Sequence, residues 1–275
     1  MNNKEDLSSS RELAAKIRGH SLRMSFATKS PHLGSMLSMA DLLAVLYTHI
    51  LRVDPNNAHW PERDRFILSK GHGGAALFAV LAERGFFPTA WLETYRRDNG
   101  KLSGHISHQV PGVEFSTGSL GHGMPVAVGM AMAAKQVARE HRVFCLMGDG
   151  DCMEGSTWEA AMFAAHHRLD NLVGIIDYNR VTALGQLEDV IELEPLDERW
   201  AAFGWSVLRV DGHDHEQIRQ ALSALPLQRA KPSMVVARTI KGKGARWMEG
   251  TVESHYAPPS EEQLAAALAE LGVGP

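Results

Sequence analysis

The order of segments along the 275-residue chain predicts an α/β protein with an open, mostly parallel sheet and helices on both faces. Three observations carry this expectation. Apolar runs of strand length, too short for helices, fall at 64–68, 143–147, 172–176, 205–210 and 233–237. Stretches with apolar residues at helical spacing lie between them. The resulting strand–helix–strand alternation requires crossover connections, and these pair strands in parallel. Ligands of such sheets bind at the carboxyl ends of the strands.

Taken in order, residues 1–8 read as a loose arm. Ser9 or Ser10 caps a helix running to Thr28, with Leu13, Ile17 and Met24 on one face. Residues 29–34 form a turn around Pro31 and Gly34. Ser38 caps a second helix over 39–51, with Asp41 in its first turn. The strand at 64–68 leads through SKGHGG into a helix ending near Arg84, and Pro88 opens another at 90–97. Residues 98–123 show no periodicity, and loops of that length are usually functional. A helix over 125–139 leads to the strand at 143–147. Gly148-Asp149-Gly150 ends that strand, and a helix follows at 154–167 with Trp158, Ala161, Met162, Phe163 and Ala165 turned to the core. After the strand at 172–176 come a helix at 195–203, a strand, a helix at 214–225 and the last strand. Residues 242–259 are irregular, and Ser260 caps a final helix at 261–271.

The composition is that of a soluble globular chain, 44% hydrophobic and 22% charged. A net charge of −4 argues against nucleic-acid and anionic-membrane partners. The N-terminus has no apolar signal region, and no uncharged run reads as a membrane span, so a cytoplasmic protein is expected. The two cysteines, Cys145 and Cys152, read as reduced thiols.

The central stretch, 143–181, carries the first chemistry. Neighbouring parallel strands end on one edge of the sheet, which puts Asp149 and Asn179 side by side. A carboxylate, an amide oxygen and a nearby backbone carbonyl make a hard, oxygen-only site suited to Mg2+ or Ca2+, and Mg2+ often shares its shell with phosphates. The helix after Gly150 would turn its positive end to the same anion. Five histidines stand in Gly- or Pro-flanked turns expected at this edge: His32, His72, His105, His122 and His255. None pairs at metal-ligand spacing on a helix, so a zinc site is not expected.

The segments DRFILSKGH, PGVEFSTGSLGHG, GDGDCMEG, WEAAMFAAHHRLDNLVGIIDYN, FGWSVLRVDGHD and ARTIKGKGARWMEG, in this order, resemble the N-terminal half of transketolase. The likeness is closest to the separate N-terminal subunit of split bacterial transketolases and covers about 10–260. It implies a single thiamine-diphosphate-binding domain over 1–275. Asp149, the Asn179 side chain and the Val181 carbonyl would then hold the metal, Mg2+ or in its place Ca2+ or Mn2+. His72, Gly118, Ser119, Leu120, Gly150, Glu154, Asn179 and His255 would line thiamine diphosphate. His32, His72, His105 and His255 would be catalytic and contact the donor sugar, while His122 replaces a common glutamine and takes over its hydrogen bonds. The implied activity moves a two-carbon ketol unit from a ketose (phosphate) to an aldose (phosphate) through a cofactor-bound dihydroxyethyl intermediate.

The pyrimidine-binding and C-terminal domains of the family have no counterpart in these residues. The resemblance therefore implies a separate C-terminal subunit in an α2β2 assembly. SPHLGS, VTALG and SHYAPP depart from the usual family strings where substrate enters. No arginine stands in the histidine loops to grip a sugar phosphate. Lys241 and Lys243 in IKGKG read equally as a phosphate clamp or a solvated turn. Two other readings are a related carboligase or 2-oxo-acid decarboxylating subunit, for example one moving acetyl from pyruvate to a sugar, and a non-catalytic partner-binding homologue.

Overall fold

The computed structural model describes residues 7–274. Five strands form one sheet: β1 (Arg65–Leu68), β2 (Val143–Gly148), β3 (Leu172–Tyr178), β4 (Ser206–Asp211) and β5 (Ser233–Arg238). Their order is β1-β2-β3-β5-β4, and every pair is parallel. All five carboxyl ends therefore share one edge. Along β2, Phe144 and Leu146 enter one core while Cys145 and Met147 enter the other, as the two-residue period of a strand requires. Both cores are closed by helices, so β2, β3 and β5 are buried almost throughout, while the edge strand β4 is partly exposed.

One face carries α1 (Ser8–Thr28), α2 (Leu33–Ser38), α3 (Ala40–Val45), α4 (Gly74–Glu83), α9 (His215–Ser223) and α10 (Glu261–Glu270). The other carries α5 (Gly123–Gln136), α6 (Gly155–His166) and α8 (Leu196–Ala202); the one-turn α7 (Leu187–Val190) lies in the loop after β3. Both cysteines are buried free thiols. No helix among the described residues is long and apolar enough to cross a membrane.

The elements differ from the sequence reading at definite points. Of the expected arm, residues 1–6 lie outside the described residues, Leu7 is buried and Ser8 already starts α1. Neither Ser9 nor Ser10 is its cap; the Ser10 hydroxyl lies inside the first turn, donating to Leu7 O at 3.1 Å. The second helix starts at Leu33, breaks at Met39 and ends in a wide turn over Leu46–Ile50. Ser38 is not a cap, because its hydroxyl donates to the Asp177 carboxylate at 2.6 Å. The expected helix after Pro88 is a 3₁₀ segment, Thr89–Thr94. On α6, Met162 and Phe163 are exposed, and Ala160, Ala161 and Ala164 make the buried stripe instead. Trp158 packs on Trp200, ring centres 5.0 Å apart.

Candidate functional site

The ends of β1, β2, β3 and β5 frame a cleft of about 250 Å³. Its floor is made by the turns that leave these strands. After β2, Asp149 is buried. Its Oδ1 accepts from Gly150 N at 2.9 Å and its Oδ2 from Arg180 N at 2.7 Å. The second of these ties the β2 turn to the β3 turn, as expected from two adjacent parallel ends. Burial, with help from the nearby Asp177 charge, lifts the Asp149 carboxyl to about 6. Asn179 and Val181 follow β3, and Val181 N–H donates to Asn179 Oδ1 at 3.1 Å.

Three of the motif loops are tied by a residue that no sequence motif marks as structural. Asp151, fully buried, accepts from Ser69 Oγ at 2.6 Å, Gly121 N at 2.8 Å and Gly148 N at 2.8 Å. One carboxylate thus joins SKGHGG, GSLGHG and GDG. The approach is close: a Cβ on Gly71 would sit 2.3 Å from Thr117 O, a backbone atom that cannot swing away. Gly71→Ala is expected to cost about 1–3 kcal/mol by overpacking. A lower thermal midpoint together with weaker cofactor-induced stabilisation checks it, and an unchanged midpoint refutes the contact.

A second buried carboxylate, Asp177, forms an ion pair with Lys70 and accepts from Ser38 and Thr239. Burial works against its ionisation, but the Lys70 charge together with the hydrogen bonds from Lys70, Ser38 and Thr239 outweighs burial and holds the carboxyl below its usual range. Lys70 also donates to Ser35 O at 3.1 Å. Lys241 is buried, and of its two readings the solvated turn is excluded. Its Nζ donates to Val181 O at 2.7 Å and Thr182 O at 3.3 Å, and lies 3.3 Å from His255 Nδ1. Burial lowers it to about 8.

Four of the five loop histidines meet over this floor. His32 faces His72, His105 and His255 at ring separations of 5.3, 5.9 and 4.8 Å. His32 stands at a left-handed φ of 77°, and its N–H donates to His255 O, which fixes two of the loops together. His122 does not join them. It is exposed, with Nδ1 3.0 Å from Leu120 O of its own loop. Burial, then the surrounding cationic groups, lowers His32 to about 4 and His255 to about 3, and holds His72 well below the usual range. The three imidazoles are therefore neutral at pH 7, able to donate from one nitrogen and accept at the other. Each binds its proton less well folded than unfolded, so the stability present above about pH 6.5 is lost as pH falls toward these values. Histidine NMR signals from these three rings are expected to stay flat between pH 8 and 5.5; titration near 6.5 would contradict the burial argument.

Ten of the twelve residues expected at the site line the cleft: His32, His72, His105, His255, Gly118, Leu120, Asp149, Gly150, Asn179 and Val181. Ser119 and Glu154 do not. Both are exposed, and Glu154 packs by its Cβ at the place where a side chain on Gly121 would go. The helix-dipole expectation also changes: a 3₁₀ turn, Asp149–Met153, follows β2, and α6 starts only at Gly155. Lys70, a lining residue that sequence reasoning missed, follows a predicted strand, which was the available signal; Lys241, already singled out in IKGKG, lines the cleft with it.

The donor set suits a hard divalent cation. The hydrogen bonds to Asp149 come from two backbone amides, and Asn179 Oδ1 and Val181 O lie in the same cleft. Among the described residues no three His, Cys, Asp or Glu side chains converge on a metal position. A Cβ on Gly148 would meet Lys70 Cδ at 3.8 Å and Asp151 Oδ2 at 4.0 Å, ordinary contacts, so a side chain would fit there without a clash.

Comparison with known proteins bears on the fold and the family. Residues 9–275 match the family model for the transketolase, thiamine diphosphate binding domain. The 6-deoxy-6-sulfo-D-fructose transketolase subunit of Clostridium sp. (strain MSTE9) is 44% identical over 241 residues, covering 87% of this chain and 88% of that protein. An apulose-4-phosphate transketolase subunit of Phocaeicola vulgatus is 41% identical, covering 93% and 91%. The crystal structure of transketolase from Campylobacter jejuni superposes with a TM-score of 0.92 at 36% identity, covering 98% of this chain and 43% of that one. The chain thus spans under half the length of that solved transketolase.

Proposed function

The chain belongs to the transketolase family, in its thiamine-diphosphate-binding domain, and from that premise we propose that it is the cofactor-binding subunit of a two-subunit transketolase. The reaction is transfer of a two-carbon ketol unit from a ketose to an aldose. The observation that carries it is four histidine rings within 4.8–5.9 Å of a neighbour, set over a cleft floored by Asp149, Asn179 and the Val181 carbonyl.

Asp149, Asn179 and Val181 O are the metal ligands in this reading, and Mg2+ is the metal the oxygen donors favour. Gly118, Leu120 and Gly150 would line the diphosphate. Bound thiamine diphosphate supplies the nucleophilic carbon and the electron sink. The protein's part is to hold sugar hydroxyls and move protons. His32, His72 and His255 are neutral imidazoles that donate to one oxygen and accept from another, and His105 completes the group. A polyhydroxylated sugar needs such a quartet, whereas pyruvate offers no hydroxyls to it. That favours the ketol reading over the 2-oxo-acid one.

The rest of the active site is proposed to come from a separate C-terminal subunit, in an α2β2 complex in the cytoplasm. Relatives of matching length are themselves named subunits. A cleft of 250 Å³ is also below the roughly 300–1,000 Å³ of a complete ligand pocket. One relative is named for a sulfo-sugar and others for a sugar phosphate, so the substrate here is read as a sugar with an anionic end.

The deciding experiment is a coupled assay of the chain with and without its co-encoded neighbour, given thiamine diphosphate, Mg2+, xylulose 5-phosphate and ribose 5-phosphate. Activity only with both chains is expected. Activity of the chain alone would overturn the shared site. No ketol transfer, but turnover of pyruvate, would move the reading to the carboligase class.

A further inference from the structure

SPHLGS, VTALG and SHYAPP, the strings that depart from the usual family pattern, come together on one side of the cleft. Between the first and the third, His32 N–H donates to His255 O, and a Cβ on Gly34 would lie 2.5 Å from Ser254 Oγ. Between the second and the third, the Tyr256 hydroxyl donates to Ala183 O at 2.9 Å. Three departures scattered over 229 positions of sequence thus share one wall, and Tyr256 belongs to none of the groups that line the cleft.

Residues 181–186 form a closed turn. Val181 and Gln186 make an antiparallel bridge. Leu187 N–H donates to Arg180 O at 2.8 Å, and Thr182 N–H to Gly185 O at 2.9 Å. The Thr182 hydroxyl accepts from the amides of Leu184 and Gly185 at 3.0 and 3.2 Å. Side chains fasten this turn to the segment that carries His255. Lys241 holds the carbonyls of Val181 and Thr182, and Gln186 Nε2 donates to Gly250 O at 3.1 Å. Both of these act at the base of the turn, whereas Tyr256 reaches its tip, beside the exposed Leu184. Tyr256 does little for the core. Its ring is 57% exposed and stands edge-on to His255, 4.9 Å between centres. Changes at so exposed a residue have small effects on global stability.

We propose that Tyr256 is a positioning residue, a latch whose hydroxyl holds the tip of the 181–186 turn and so fixes the Val181 carbonyl and the His255 ring in one wall. The proposal rests on the cofactor-binding reading of the cleft and deepens it. Val181 lies two residues before the latched carbonyl, and His255 is the residue before the latch. A carbonyl that is to meet Mg2+ must stand in place, because that ion demands near-ideal geometry. If the turn were free, ordering it would be charged against binding; a turn latched beforehand removes that cost.

The test uses Tyr256→Phe, which keeps the ring and drops the hydroxyl, beside Tyr256→Ala, which drops both. Hydrogen exchange of the full chain without cofactor reads the latch. In Tyr256→Phe the amides of Thr182 and Leu187, which close the turn, are expected to exchange about three- to tenfold faster, the equivalent of one ordinary hydrogen bond. Exchange in β3 and the thermal midpoint should stay as they are. In the reconstituted complex with Mg2+, the calorimetric Kd for thiamine diphosphate is expected to rise by a similar factor, with the loss in Kd rather than in kcat at saturating cofactor. A merely structural role would lower the midpoint and show no such split. Unchanged exchange, or faster exchange with an unaltered Kd, would overturn the proposal. So would a Tyr256→Phe variant that behaves as the unaltered chain where Tyr256→Ala does not, since packing on His255 would then be the cause. If the unaltered complex binds no thiamine diphosphate while the turn still loosens in Tyr256→Phe, the cofactor reading fails and the latch stands.

Discussion

Asp149→Ala is expected to abolish metal-dependent binding of thiamine diphosphate by the reconstituted complex. Asp149 is the only carboxylate lining the cleft among the described residues, so its removal takes away the one anionic ligand proposed for the cation. Losing even a supporting group around a metal costs about 10–100-fold in affinity, and loss of the charged ligand itself should exceed that. The substitution also strips acceptors from Gly150 N and Arg180 N, the second of which joins the β2 and β3 turns. Asp149→Asn separates the two effects. It keeps an oxygen for one of the two backbone amides and removes the charge, so it should disturb the turn less than alanine does and still bind the cofactor poorly. Calorimetry with Mg2+ present reads affinity, and a circular dichroism melt reads the fold. Undiminished affinity in Asp149→Ala would reject the metal assignment.

That site was legible in the sequence because its parts follow strand ends. Gly148 pairs with Asp177 across β2 and β3, so residues just beyond both strands arrive side by side whatever the loops do. The histidines were legible by their Gly-rich turns, although His122, in the same kind of turn, stays in solvent. The charged groups beneath the cleft were not legible. Lys70 meets Asp177 across 107 positions and Lys241 meets Val181 across 60, and no local pattern encodes pairings of that range. Asp151 reads in sequence as one more acid beside the GDG turn, yet it collects hydrogen bonds from three loops. Helical spacing on α6 leaves its phase open. The small residues Ala160, Ala161 and Ala164 face the core because α5 packs closely there, which leaves Met162 and Phe163 outside.

The largest stability effect is expected from Asp41→Asn, far from the cleft. Asp41 is buried in the first turn of α3 and accepts from Arg18 at 2.9 and 2.6 Å, from His213 Nδ1 at 2.7 Å and from His215 Nε2 at 3.0 Å. His213 Nε2 must be unprotonated, because Ile240 N–H donates to it at 2.8 Å, so its proton sits on Nδ1 and points at Asp41. Burial opposes the Asp41 charge, but the Arg18 cation and these hydrogen bonds outweigh it and hold the carboxyl well below the usual range. An asparagine would turn an N–H toward one of these donors and leave Arg18 buried without its counter-ion. Breaking such a pair costs about 3–5 kcal/mol, to be read as a lower urea midpoint at pH 7. The folded carboxyl is the stronger acid, so its contribution is full above the ordinary value of about 3.9 and fades as pH falls through the depressed one. The gap between Asp41→Asn and the unaltered chain should therefore narrow in acid. Replacing both partners, as Arg18→Met with Asp41→Leu, should recover part of the loss, because no charge is then stranded although the His213 and His215 donors lose their acceptor. His213 also sets the chain at Ile240, one residue before the Lys241 that grips Val181 O, so Asp41→Asn should loosen the proposed metal carbonyl as well. Weaker Mg2+-dependent cofactor binding, at a temperature where the variant is still folded, is the expected sign of that link; unchanged binding with a lowered midpoint would confine Asp41 to stability.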